Sequence, residues 1–141
     1  MQGELLAHTT IDMLHRQAER LGVRILEAHM PGTTCGLYCD RLRVIWLADW
    51  LNDRQRLCTL CHELVHAEYR DVMGHGGFDA RCELRARRET ALRLVSPVDY
   101  KLVEQMFDAE PWPMAVELGV TMQVLEDYRH TLESNGGFDV V

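Results

Sequence analysis

Residues 62–66 read His-Glu-Leu-Val-His, and this pentapeptide constrains the fold more than any other stretch of the chain. Two imidazoles four positions apart converge only on a helix, where residues i and i+4 lie on one face a turn apart. The flanking sequence supplies that helix. Asn52 is a good N-cap with Gln55 three residues on, and from 53 to about 72 the residues Leu57, Leu60, Cys61, Leu64 and Val65 make one apolar stripe. At about 100° per residue the histidines fall nearly opposite that stripe. Thr59 and Tyr69 lie near the histidine side, and the apolar side is expected to pack on a sheet. Gly74, Gly76 and Gly77 end the helix.

Such a pair of histidines with an adjacent glutamate is the H-E-x-x-H pattern of a zinc site, with Glu63 placed to take a proton from a metal-bound water. A catalytic zinc needs three protein ligands and one open position. A third histidine six residues after His66 would give the metzincin pattern, but Val72 stands there. His75 is available, though in a glycine-rich loop beyond the helix. Glu83 is the better third ligand. It lies near the start of a second helix, 80–95, capped by Asp79, and a short loop can fold that helix back on the first. Ala86, Thr90 and Ala91 share its face and are small enough to let the two backbones approach. The plainer meaning of Glu83 is a solvated carboxylate beside Arg87, four residues on.

The rest of the chain predicts an α+β fold. A helix spans 10–21 and stops at Gly22; β-like pieces follow at 23–28, 35–40 and 43–49, and strands so close in sequence are expected to pair antiparallel. The result is a small antiparallel three-stranded sheet packed on the H-E-x-x-H helix. Ser96-Pro97 opens a third helix to about 108, and shorter helices are expected at 114–118 and 122–133, beyond Pro111-Trp112-Pro113. At 141 residues this reads as one domain, with a core over 1–110 and a small helical tail over 111–141 packed on it. The start of the chain has no basic segment followed by an apolar stretch, so no secretion signal is expected, and no run is long enough to span a membrane. Five cysteines, an odd number, point to reduced thiols and a cytoplasmic location. A formal charge of −7 disfavours nucleic acid as the main partner.

With His62, Glu63, His66 and Glu83 placed together, the chain resembles the ImmA/IrrE family of metallopeptidases. GLYCDRLRVIWLADWLNDRQRLCTLCHELVHAEYRD (36–71) is similar to the family's run of strand, aliphatic strand and motif helix. ELRARRETALRLVSP (83–97) resembles its third-ligand helix, with Glu83 at the ligand position. Arg87 stands where the family often has Asn or Asp, and Glu89 where an aromatic is common. The resemblance implies a zincin core of gluzincin type, a zinc ion for which manganese can substitute, and a specific protein substrate. Members carried on prophages and mobile elements act as anti-repressors that cut a helix-turn-helix repressor; others serve stress responses or accompany toxin-antitoxin genes.

A developing oxyanion needs a donor besides the metal, and Tyr69, His75 and Tyr38 are candidates. A substrate strand is expected along the sheet edge, from residues 36–49. Three further features weigh as alternatives. Cys58-x-x-Cys61 with Cys35 and Cys39 could hold a structural zinc, but Cys61 belongs to the apolar stripe and ordinary packing is the better reading. Arg81, Arg85 and Arg88 read as a solvated face with Arg85 paired to Glu89, rather than a dock for an acidic partner. Residues 115–132 resemble a helix-turn-helix, which supports a rival DNA-binding role, yet Glu126 and Asp127 would meet phosphates. A regulator that binds a repressor at a metal site without cutting it is the remaining alternative.

Overall fold

The caps read from the sequence set the helix starts in the computed structural model, which describes residues 9–140, with side chains to 134. Thr10 accepts a hydrogen bond from the Met13 N–H to open α1 (Ile11–Leu21), and Gly22 closes it at φ 70°. Asn52 and Gln55 form a reciprocal box at the start of α2 (Asp53–Glu68), Asp79 caps α3 (Ala80–Leu94), and Ser96 caps α4 (Pro97–Met106). The chain continues through α5 (Pro111–Leu118) and α6 (Met122–Val140). Helix α5 starts earlier than expected because Pro111 and Pro113 occupy its first turn, where a missing N–H costs nothing. Residues 1–8, on which much of the expectation about secretion rests, lie outside the described residues. No helix among the described residues is long and apolar enough to cross a membrane.

The sheet is mixed, which corrects the antiparallel expectation. Its order is β1 (Arg24–Ala28), β3 (Val44–Ala48), β2 (Gly36–Cys39). β2 and β3 form the expected antiparallel pair, with Leu37 opposite Trp46, but β1 runs parallel to β3, with Leu26 opposite the same Trp46. Burial overrides nearness in sequence. Val44, Ile45, Leu47 and Ala48 are all buried, so β3 takes the central slot, whereas β1 leaves most of its residues exposed and takes an edge. Within 36–49 the free edge is therefore β2 alone, since β3 is paired on both sides.

Helix α2 is buried nearly all round, not on one stripe. Cys58, Leu60, Cys61, Glu63, Leu64, Val65, His66 and Ala67 are all buried, since the sheet and α1 cover one side while α3 covers the other. The apolar cluster runs on without a break from Leu14 of α1 through Ile45 and Leu64 to Met114, Leu125 and Tyr128 of the two last helices. The helix also stops at Glu68, short of Val72. Arg70 adopts φ 54°, and the turn it makes brings the Asp71 N–H back to the His66 carbonyl at 2.9 Å.

Where β2 meets α2, the approach is too close for a side chain. A Cβ on Gly36 would sit 2.6 Å from Thr59 Cγ2 and 3.1 Å from the Trp46 carbonyl oxygen. Gly36→Ala is expected to cost about 1–3 kcal/mol of stability, as overpacking typically does. The shift in urea midpoint measures it, and an unchanged midpoint would show that strand and helix part freely here.

Candidate metal centre

Two helices bring the expected ligands together. Helix α2 presents His62 and His66 one turn apart, with ring centroids 5.0 Å from each other. The loop 69–79 turns the chain so that the first turn of α3 faces them, and Glu83 Oε1 lies 2.7 Å from His66 Nε2 and 3.5 Å from His62 Nε2. One ligand atom from each of the three falls within 4.8 Å of the others, the one such cluster among the described residues.

These contacts carry a charge problem that a cation resolves. His66 Nδ1 lies 2.9 Å from Asp71 Oδ2, so both ring nitrogens face carboxylate oxygens. A neutral imidazole has one N–H. With that proton directed to Asp71, Nε2 turns a lone pair toward Glu83, and two acceptors this close need a proton or a metal ion between them. Two imidazole nitrogens and one carboxylate oxygen form a donor set suited to zinc. Burial lowers the pKa of His62, against the pull of Glu83, and so favours the neutral ring that binds metal. The residues fit the ion.

Glu63 lies beside the cluster, 8% exposed. Burial first, and the charge of Glu83 second, push its carboxyl up to about 8. A carboxyl so desolvated needs a neighbouring cation to act as a base at neutral pH, which a metal held by the adjacent histidines would provide.

The residue that sequence reasoning missed is Asp71. It is 7% exposed and holds His66 from behind, while Arg85 pairs with its other oxygen. Burial opposes its charge, yet hydrogen bonds from Arg85, His66 and Cys82 together keep its carboxyl below the usual range. Arg85 therefore answers to Asp71 and lies over the Tyr69 ring, and the expected partner Glu89 binds Arg93 at 2.8 Å instead. Phe78 completes the support, stacked on the His66 ring at 3.8 Å. Carboxylates that orient a metal-binding imidazole are typically worth about 10–100-fold in metal affinity. Asp71→Asn is expected to weaken zinc binding by that factor in a chelator competition, and an unchanged affinity would leave Asp71 a fold residue only.

Two cavities flank the cluster. One of about 500 Å³ is bounded by Gly36, Thr59, His62, Glu63, Arg87 and Asp127. A smaller one of about 250 Å³ is bounded by Leu37, His62, Glu63, Met73, Phe78 and Glu83. Gly36 lines both, so the free edge of β2 runs beside the cleft they make.

The three oxyanion candidates are not brought to the cluster. The Tyr38 hydroxyl donates to Asp40 and accepts from Arg43, and burial, with Asp40 next, raises its pKa to about 12. Tyr69 donates to Glu89 on the outer face. His75 is exposed and lines neither cavity. The cysteines are all free thiols; Cys58 and Cys61 are buried, and burial pushes the Cys61 thiol up to about 12, so it packs as a neutral group.

No curated protein and no solved structure matches the chain. Residues 18–127, which hold the sheet, the motif helix, Glu83 and the start of α6, match the profile of the M78 peptidases, described as the IrrE N-terminal-like domain. On that match over most of its length, the chain belongs to the M78 (ImmA/IrrE) family of metallopeptidases.

Proposed function

We propose that this protein is a zinc-dependent endopeptidase in which His62, His66 and Glu83 hold the metal and Glu63 is the general base. The convergence of three ligand atoms within 4.8 Å, beside a buried glutamate and a cleft, carries the reading. Zinc held there would supply a water with a pKa of about 7 and a Lewis acid for the scissile carbonyl. The chain does the rest. Glu63 takes the proton of the attacking water and returns it to the leaving amine nitrogen. Asp71 and Phe78 fix the His66 ring, and β2 is an edge strand along which an extended peptide can lie as an added strand.

The substrate we infer is a helix-turn-helix repressor, cut at one site in the cytoplasm, as the resemblance to prophage-borne anti-repressors suggests. Five free thiols fit that location. A DNA-binding role has less support: Asp127 of the would-be reading helix is tied to Arg87, and Glu126 beside it would repel phosphate. The core over 1–110 and the helical tail are read as one unit, with the tail forming a wall of the cleft through Gln123, Val124 and Asp127.

The test incubates the zinc-loaded protein with the repressor-like product of its neighbouring gene and examines the products by mass spectrometry. A single discrete cut, abolished by chelation, is expected. An intact repressor that nevertheless co-purifies with the protein would favour the non-cleaving regulator.

A further inference from the structure

One turn beyond Glu83 on α3, Arg87 faces the larger cavity, where no other arginine and no lysine lines either side of the cleft. Its guanidinium is anchored. Nε donates to Asp127 Oδ2 at 3.2 Å and Nη2 to Oδ1 at 2.7 Å, and Gln123 donates to the same Oδ1 at 3.0 Å. A guanidinium has five N–H donors in a rigid fork. Two go to Asp127, and the remaining three have no protein acceptor among the described residues.

A second observation lies in the same cavity. Thr90, one turn further along α3, is 2% exposed, and its enclosed hydroxyl faces Cys61 of α2, which leaves Arg87 as the α3 residue that offers polar hydrogens to this space. Arg87 thus presents unused N–H donors to the space beside His62 and Glu63.

The charge of Arg87 is cancelled by Asp127, so the pair offers oriented donors with little net field. That suits a neutral acceptor better than a carboxylate, which Asp127 would repel. In a peptide lying along β2 the neutral acceptor is a backbone carbonyl. We propose that Arg87, locked on Asp127, grips the substrate by donating to a main-chain carbonyl of the peptide held in the larger cavity. This rests on the peptidase reading above. It makes Arg87 a binding residue that acts equally on bound substrate and transition state, in contrast to an oxyanion donor.

Three metal-directed probes separate the outcomes: acetohydroxamate, which reaches only the zinc, and two oligo-alanine hydroxamates, one extended N-terminally and one C-terminally from the zinc-binding group. Calorimetry with the zinc-loaded full-length protein is expected to show one extended probe binding more tightly than acetohydroxamate. Arg87→Gln should weaken that probe about tenfold, the size of a hydrogen bond to a charged group, and leave acetohydroxamate and zinc content unchanged. Arg87→Lys keeps an ion pair with Asp127 but not the planar fork, and should lose a similar factor. Arg88→Gln, in the neighbouring groove, should change nothing. The proposal is overturned if the extended probe binds both Arg87 variants as it binds the parent, if acetohydroxamate weakens in parallel, if Arg88→Gln loses as much, or if neither extended probe exceeds acetohydroxamate. Acetohydroxamate failing to bind the zinc-loaded parent would instead remove the metallopeptidase reading itself, and this inference with it.

Discussion

Glu63→Gln is expected to keep its zinc and lose about 10²–10⁴-fold in cleavage rate, the usual contribution of a positioned general base. The amide has the same shape as the carboxyl, and the site already disfavours charge at this position, since burial and Glu83 both hold the Glu63 proton on. The Tyr38 N–H that bonds the carboxyl can bond the amide oxygen instead, so folding should be unaffected. What disappears is the ability to accept a proton from water. Zinc content by elemental analysis and the rate of repressor cleavage by mass spectrometry are the two readouts. A variant that cleaves at the parental rate would remove Glu63 from the mechanism; one that loses both zinc and activity would make it a structural support of the ligands.

The convergence of the candidate ligands was legible because it depends on local periodicity. His62 and His66 meet through the pitch of α2, and the capping residues Asn52 and Asp79 locate the two helices that bring Glu83 to them. The support around the ligands was not legible, because it depends on backbone conformations that no periodicity signals. Asp71 reaches His66 only because Arg70 turns at φ 54° and ends α2 early, whereas a helix continued to Val72 would have aimed Asp71 elsewhere. Arg87 similarly looked like a partner for Glu83 four residues away, but a long-range carboxylate, Asp127, claims it. The sheet was misread for a related reason. Nearness in sequence favours hairpins, yet β3 is the most apolar strand and takes the centre, which forces β1 onto its far side in parallel. Helical registers follow from adjacent residues; strand order and buried ion pairs follow from competition across the whole chain.

Glu83→Gln is expected to abolish zinc stabilisation at concentrations that saturate the parent. Zinc at 100 times its dissociation constant stabilises a protein by about 2.7 kcal/mol. Loss of a direct ligand should exceed the effect of losing a supporting carboxylate, which reaches about 100-fold. At the same zinc concentration a variant weakened 100-fold then gains only about 0.4 kcal/mol, and its thermal unfolding should barely respond to the metal. The substitution is informative because the Glu83 side chain is 43% exposed on the first turn of α3, so the amide can be solvated and the fold retained. His66→Ala would not separate these effects, since that ring is fully buried and stacked on Phe78, and its removal opens a cavity in the core. A Glu83→Gln protein whose melting temperature still rises with zinc as the parent's does would place the third ligand elsewhere. His75 would then be the residue to replace next, because a swing of the glycine-rich loop 74–77 is the shortest route by which another imidazole could reach His62 and His66.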